Sequence, residues 1–272
     1  MKNYIKLLRV KHYIKNLLIF LPVFFGGKLL NKHNLNSTLI GFIVFCLVSS
    51  LIYIMNDIGD IENDRNHPKK CTRPLASGAI SLKSAKILMI ILIILIVLIH
   101  IIYPPIINNN AVIIILIYLI INYMYTKKLK NIPILDITIL ALGFLLRVMY
   151  GSAINTIPVS EWMYLTILTF SFYLGLGKRR NEIVKVNNEN ETRNVLKFYT
   201  YQFLDKNMHM CLATTLVFYS LWTVSSGKYL VITIPLVIII CMKYSLIIEG
   251  DSYGDPVDVF VYGNVIVDSQ CS

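Results

Sequence analysis

Residues 56–78 read Asn56-Asp57-Ile58-Gly59-Asp60-Ile61-Glu62-Asn63-Asp64-Arg65-Asn66-His67-Pro68-Lys69-Lys70-Cys71-Thr72-Arg73-Pro74-Leu75-Ala76-Ser77-Gly78, a polar island between two apolar runs. On a helix that turns by about 100° per residue, Asp57, Asp60 and Asp64 fall within an arc of roughly 60°, whereas Glu62 points away. Three carboxylates on one face repel each other unless a cation joins them. Mg²⁺ takes one or two carboxylates and keeps its other positions for water and phosphate oxygens. The spacing therefore predicts a site for Mg²⁺ and a diphosphate.

Basic side chains follow these acids directly. Arg65, Lys69, Lys70 and Arg73 are suited to phosphate oxygens that a metal ion leaves uncovered. The alternative is a solvated loop whose charges only set the topology of the chain. Such a loop would not need the acids at this spacing.

The composition is that of a membrane protein. Of the 272 residues, 56% are hydrophobic and 15% are charged, and the mean hydropathy is +0.64. Residues 87–102 and 111–124 carry almost no charge and are long enough, or nearly so, to cross about 30 Å of hydrocarbon as helices. They lack the alternation of a lipid-facing barrel strand. We therefore predict an all-α, polytopic integral membrane protein that forms a single helical bundle over residues 1–272.

Eight membrane spans are expected. They cover residues 14–31, 38–56, 84–103, 110–125, 133–152, 160–177, 208–226 and 229–248. The connections are alternately long and basic or short and neutral, and the neutral side holds only Lys28, Lys32 and Lys228. By the positive-inside rule, the N-terminus and the acidic stretch face the cytoplasm. The net charge of +11 is then explained by the membrane surface and phosphate substrates, and no nucleic-acid partner is expected. The five cysteines are scattered without the spacing of a zinc site or a disulfide framework.

The order Asn56, Asp57, Asp60, Asp64 resembles the first motif of the UbiA superfamily of membrane prenyltransferases, Asn-Asp-x-x-Asp-x-x-x-Asp. The continuation His67-Pro68-x-Lys70-x-x-Arg73-Pro74-Leu75-x-Ser77-Gly78 is also similar to that superfamily. Within it, the chain looks most like the decaprenyl-phosphate phosphoribosyltransferase branch. The resemblance implies that Asp57, Asp60 and Asp64 hold Mg²⁺ and that Asn56 assists them.

The N-terminal segment also resembles this branch. It contains Lys15-Asn16 at the mouth of the first predicted span, and the resemblance assigns both residues to a phosphate pocket. The alternative is a basic interfacial anchor.

A second cluster, residues 122–136, resembles the second superfamily motif, with matches at Tyr125, Lys130 and Asp136. It holds one acid among three lysines, which suits a donor with an additional phosphate better than a second complete Mg²⁺ site. The alternative is a set of topology charges with Asp136 at a helix N-terminus.

Arg147 follows Asp136 by eleven residues, on nearly the same helix face. A guanidinium inside a membrane normally faces a cavity or a partner, so both residues could face one polar cavity or form a structural salt bridge. The pattern from Gly143 to Gly151 again looks like the phosphoribosyltransferase branch. So does Gly177-Lys178-Arg179-Arg180, which places Lys178 and Arg179 to meet phosphate.

In the last segment, the resemblance and the length of the apolar run differ on whether a further membrane span follows. Gly254-Asp255-Pro256-Val257 resembles the piece before the final span of the branch, where the family typically has nine spans. Residues 257–267 are too short an apolar run to cross a bilayer. The sequence therefore predicts about eight spans.

The resemblance implies a Mg²⁺-dependent enzyme of a bacterial-type cytoplasmic membrane, with its active site on the cytoplasmic side. It would move a 5-phosphoribosyl group from phosphoribosyl diphosphate to a long-chain polyprenyl phosphate. One alternative is a prenyltransferase that moves a polyprenyl group from its diphosphate to an aromatic acceptor. Another is a transporter of lipid-linked phosphates, which would carry charges throughout the bilayer. The oligomeric state is left open.

Overall fold

The computed structural model describes residues 2–66, 70–103, 108–186 and 194–249. Throughout these residues the chain forms helices joined by turns, as the apolar runs predict. The ten α-helices in this part of the chain are α1 (Lys2–Leu8), α2 (Leu21–Phe25), α3 (Lys32–Gly59), α4 (Ile61–Arg65), α5 (Leu82–Ile102), α6 (Asn109–Lys127), α7 (Leu135–Asn155), α8 (Glu161–Val186), α9 (Tyr201–Ser226) and α10 (Ile234–Glu249). Shorter 3-10 segments connect them at Val10–Phe20, Lys70–Thr72, Leu129–Asn131, Asn194–Phe198 and Lys228–Thr233.

Several parts of the sequence interpretation lie outside the described residues. These are His67-Pro68 of the first motif, the basic residue Lys69 that follows them, and the whole segment after Glu249.

Six helical segments in the described ranges are long and apolar enough to cross a membrane. They are Lys32–Gly59, Leu82–Ile102, Asn109–Lys127, Leu135–Asn155, Tyr201–Ser226 and Tyr229–Glu249. All six coincide with predicted spans. The protein is therefore an all-helical, polytopic integral membrane protein.

The two remaining predicted spans look different. Residues 14–31 do not form one helix, because the chain runs as a 3-10 segment to Phe20, then as the five-residue α2, and turns at Gly26. Pro22 suits the start of α2, where a missing N–H leaves no helical bond unmade. The other, α8, has 26 residues but interrupts its apolar side chains with threonines, serines and glycines, and it is not among the six.

Several of the long helices begin at a residue whose side chain caps them. The Asn31 side chain accepts hydrogen bonds from the N–H groups of His33 and Asn34 at the start of α3, and Ser81 accepts from Ser84 at the start of α5. Such caps satisfy backbone donors that a helix leaves unpaired. They fix where each apolar run enters its helix.

The chain forms two compact units, Met1–Leu129 with Leu146–Pro158, and Lys130–Leu145 with Val159–Ser272. The first unit has a core of Ile19, Val44, Phe45, Val48, Ile52, Ala111, Ile115, Tyr118, Tyr150 and Ile154. A second cluster, around Leu7, Ile54, Leu75 and Ile80, lies beside the acidic stretch. The core of the second unit includes Ile137, Tyr173, Leu204 and Tyr244.

Helix α5 shows how the first unit meets the lipid. Only 11% of its apolar window is buried, against 56% for α3, and Ile90 and Ile94 are each 58% exposed. A helix that is apolar on all sides and exposed is suited to hydrocarbon surroundings. Helix α3 instead supplies the packed centre of the first unit and carries the acidic motif at its end.

Candidate active site

Asp57 and Asp64 both accept hydrogen bonds from the guanidinium group of Arg73. Arg73 Nη1 donates to Asp64 Oδ2 at 2.6 Å and to Asp57 Oδ1 at 3.3 Å. The two carboxylate oxygens are therefore no farther apart than the sum of these distances. Both aspartates are buried, at 3% and 4% exposure. The structure thus brings together two of the three predicted metal ligands.

The helix that carries these acids is broken between them. α3 ends at Gly59, Asp60 has φ −108° and ψ 10°, and α4 begins at Ile61. Glycine is a poor helix former, which favours an end at this point. The backbone N–H groups of Asp60 and Asp64 still bond the carbonyls four residues earlier, so the helical repeat continues across the junction. Asp60 is half-buried at the break, and Glu62 is exposed.

The loop after α4 positions Arg73 beside Asp57 and Asp64. Arg73 N–H bonds the Lys70 carbonyl at 2.9 Å, and Leu75 and Ile80 are buried beside α3 and α5. Gly78 takes φ +75°, a conformation that glycine adopts without steric cost, and it turns the chain toward α5. Arg65 Nε donates to the Ala76 carbonyl at 3.3 Å and so secures the same loop.

The donor set fits a divalent metal ion. Two buried carboxylates that already share one cation match the one or two carboxylates that Mg²⁺ takes from a protein. Among the described residues, no three His, Cys, Asp or Glu side chains gather into a metal-binding group. The three-aspartate ligand set therefore stays a prediction, in which Asp60 would have to join the other two.

Neighbouring predicted residues differ in their surroundings. Thr126 on α6 donates its hydroxyl to the Asn56 side-chain oxygen, which orients that amide beside Asp57. Tyr125 and Lys70 are half-buried in the same unit, as is Lys15. Their predicted contacts with substrate stay predictions.

The sequence analysis did not identify Arg9 as a site residue. Its Nη2 lies 2.5 Å from Asp57 Oδ1, and its guanidinium stacks 4.9 Å from the centre of the Tyr53 ring. The two residues of the ion pair are 48 positions apart. No local spacing in the sequence could have indicated this pair.

Arg147 and Asn16 are partners inside the first unit. Arg147 Nε donates to Asn16 Oδ1 at 2.8 Å, and Nη2 donates to the Tyr118 hydroxyl at 2.8 Å. The guanidinium also lies over the Phe45 and Tyr118 rings, at 5.2 and 5.0 Å. Asn16 is fully buried. Arg147 therefore joins the N-terminal 3-10 segment to α6 and α7.

Asp136 has a different partner from the one considered in the sequence analysis. Its Oδ2 lies 2.6 Å from Arg179 Nε, and Arg179 Nη1 lies 2.6 Å from Glu182 Oε2. Asp136 and Arg179 are both fully buried. The salt bridge of Asp136 thus runs to α8 within the second unit. Lys178 and Lys130 are half-buried in this unit, and phosphate contacts of these four residues stay predictions.

Tyr199 completes this network and was also missed. Its hydroxyl donates to Asp136 Oδ1 at 2.6 Å and accepts the Ile134 N–H at 2.5 Å. Burial, together with the bond to Asp136, raises the pKa of the Tyr199 phenol above its usual value. The phenol therefore stays protonated and remains a hydrogen-bond donor at neutral pH.

An all-helical membrane protein with two buried aspartates between arginines is the type of molecule that the first motif predicts. The model of the UbiA prenyltransferase family matches residues 19–264, and the chain belongs to that family. It is therefore a membrane-embedded transferase.

The chain is similar to two proteins named decaprenyl-phosphate phosphoribosyltransferase. The one from Mycolicibacterium smegmatis is 29% identical over an alignment of 281 positions, which covers 96% of this chain and 87% of that protein. The one from Corynebacterium glutamicum is 29% identical over 96% of this chain and 81% of that protein. A solved UbiA homolog from Archaeoglobus fulgidus, bound to GPP and Mg²⁺, has a TM-score of 0.75 at 20% identity and covers 98% of this chain and 93% of that chain. This likeness confirms the fold.

Proposed function

We propose that this enzyme transfers a 5-phosphoribosyl group from phosphoribosyl diphosphate to a long-chain polyprenyl phosphate and releases diphosphate. The observation that carries the proposal is the similarity, over 96% of the chain, to proteins named decaprenyl-phosphate phosphoribosyltransferase. The buried acids and arginines around Asp57 support it, because the donor is a diphosphate that needs cations.

In the reaction, an oxygen of the acceptor phosphate bonds to the anomeric carbon of the ribose as the bond from that carbon to diphosphate breaks. Asp57 and Asp64, with Asp60, would hold Mg²⁺. Bound there, the ion would neutralise the negative charge that develops on the leaving diphosphate. The chain needs no strong general base, because a phosphate monoester is already ionised at neutral pH.

The residues of the chain then have separate tasks. Asn56, oriented by Thr126, would steady the acids, and Arg73 would offer N–H groups to diphosphate oxygens beside them. Lys70 and Arg65 belong to the same loop. Lys15, Tyr125, Lys130, Lys178 and Arg179 remain candidates for the other phosphates of donor and acceptor. We place the site at the cytoplasmic face of a bacterial-type cytoplasmic membrane, where the basic connections lie.

The test is a transfer assay in lipid nanodiscs with labelled phosphoribosyl diphosphate, polyprenyl phosphate and Mg²⁺. We expect labelled lipid with the wild type and almost none with Asp57→Asn. Glu62→Gln is the matched control, because Glu62 is an exposed acid on the same motif and should keep its activity.

Two outcomes would contradict the proposal. One is the absence of labelled lipid while polyprenyl diphosphate and an aromatic acid give a prenylated product, which is the reaction of an aromatic prenyltransferase. The other is metal-independent movement of lipid-linked phosphate across the bilayer that survives Asp57→Asn, which would indicate a transporter.

A further inference from the structure

Arg9 has an unusual backbone conformation. It lies between α1 and the 3-10 segment with φ 52° and ψ 46°, in the left-handed region that residues with a Cβ rarely adopt. The chain on both sides is held on α3. Leu7 is fully buried, the Ser50 hydroxyl donates to the Leu8 carbonyl at 2.9 Å, and the Tyr13 hydroxyl lies 2.7 Å from Ser50 Oγ. Strain of this kind persists only where surrounding contacts impose it, and it concentrates at functional sites.

The strained residue supplies a second cation to a carboxylate that already has one. Asp57 Oδ1 accepts Arg9 Nη2 at 2.5 Å and Arg73 Nη1 at 3.3 Å. Arg73 makes its shorter bond, 2.6 Å, to Asp64. Two buried acids are thus balanced by two guanidinium groups, of which Arg73 bridges the pair and Arg9 binds Asp57.

A divalent ion at Asp57 Oδ1 would compete with these arginines. A carboxylate oxygen offers two lone pairs, and two N–H donors already point at Asp57 Oδ1. A metal on Asp57 would also bring two positive charges next to the Arg9 guanidinium. The Arg9 side chain is 22% exposed, so part of it already meets solvent, whereas Leu7 two residues earlier is fully buried.

We propose that Arg9 occupies the metal-binding face of Asp57 in the metal-free enzyme and is displaced when the divalent ion binds. Arg73, which stays on Asp64, keeps the two acids together during this exchange. The inference rests on the proposed function in one respect, the metal site at Asp57. It adds that the affinity of this site for metal is set by competition with a residue from outside the motif.

The competition predicts the direction in which loss of the Arg9 guanidinium changes the affinity for metal. Because coupling between two binding events is reciprocal, the Arg9–Asp57 pair weakens metal binding by the same factor by which metal weakens the pair. Removing the guanidinium should therefore tighten metal binding in the absence of any substrate. Coupling free energies between sites correspond to about 5- to 150-fold in affinity.

The experiment measures Mn²⁺ affinity by electron paramagnetic resonance on the purified full-length protein in nanodiscs, without donor or acceptor. We expect Arg9→Gly and Arg9→Asn, which both tolerate the left-handed backbone, to bind Mn²⁺ at least about fivefold more tightly than the wild type. Arg9→Lys, which keeps the charge, should bind less tightly than these two. Lys6→Ala removes one charge from an exposed position in the same segment and should leave the affinity unchanged.

The inference is overturned if Arg9→Gly and Arg9→Asn bind Mn²⁺ with the wild-type affinity or more weakly, since Arg9 would then not compete. It is also overturned if Asp57→Asn leaves the Mn²⁺ affinity of the wild type unchanged. Neither result depends on turnover. A protein that shows the expected Mn²⁺ affinities but forms no labelled lipid would refute the proposed reaction and leave the exchange at Asp57 supported.

Discussion

The buried pair of Asp136 and Arg179 gives the sharpest prediction of stability. Both side chains are fully buried and lie 2.6 Å apart. Replacing Arg179 by methionine therefore leaves the Asp136 carboxylate buried in the second unit without its ion-pair partner. Breaking a buried ion pair on one side costs about 3–5 kcal/mol. Asp136 keeps the Tyr199 hydroxyl at 2.6 Å, which places the expected loss for Arg179→Met at the lower end, about 3 kcal/mol.

The reverse substitution should cost less, because Arg179 retains Glu182 at 2.6 Å when Asp136 becomes asparagine. We expect a loss of about 2 kcal/mol for Asp136→Asn. The double variant should lose less than the two single losses together, with an interaction energy of about 0.5–3 kcal/mol.

The assay is reversible unfolding in mixed micelles with increasing dodecyl sulfate, followed by circular dichroism. Lys206→Met is the control, since Lys206 is exposed on α9 of the same unit and should change the free energy of unfolding by no more than about 0.5 kcal/mol. A loss below about 1 kcal/mol for Arg179→Met, or strict additivity in the double variant, would refute the assignment of a buried, coupled pair.

Two further substitutions test contacts of single groups by the same unfolding assay. An alanine Cβ at Gly151 would lie 2.1 Å from the Ile19 carbonyl oxygen, so Gly151→Ala should lower the free energy of unfolding by about 1–3 kcal/mol. Gly59→Ala is the control, because its Cβ would meet only a methyl group at 3.4 Å and should not destabilise the protein. Equal effects of the two substitutions would contradict the close approach of the backbone at Gly151. Tyr199→Phe removes the hydroxyl that donates to Asp136, and we expect a loss of about 1.5–3 kcal/mol. An unchanged free energy of unfolding for Tyr199→Phe would show that this bond contributes nothing.

The sequence was informative where structure follows from local periodicity. Apolar runs of sufficient length predicted the six helices that can cross a membrane, because a helix in lipid satisfies its own backbone bonds. The seven-residue separation of Asp57 and Asp64 predicted their common face, because seven residues make nearly two turns. The same reasoning was wrong in expecting one helix over residues 14–31, because it allowed too little for Pro22 and for the fully buried polar Asn16 near the start of the run.

The contacts between distant parts of the chain could not be read from periodicity. Arg9 meets Asp57 across 48 residues, and Arg179 meets Asp136 across 43. Each pair depends on how two elements pack, which a single sequence does not specify. The resemblance to a family identified Asp136 and Arg179 as notable residues, but it did not indicate that they are partners of each other.

Arg147, Arg9 and Arg73 of the first unit differ in the side chains that hold them. Arg147 donates to the neutral side chains of Asn16 and Tyr118 and lies over two aromatic rings, an arrangement that offers no anionic oxygen from these groups to an incoming metal. Arg9 and Arg73 instead form ion pairs with carboxylates, whose oxygens are the ligands that Mg²⁺ prefers. A divalent ion can therefore compete for the carboxylates that hold Arg9 and Arg73, whereas the two side chains that hold Arg147 offer it no carboxylate. Of these three arginines, Arg147 secures the N-terminal segment of the first unit, and Arg9 and Arg73 join the two aspartates at which we propose the metal site.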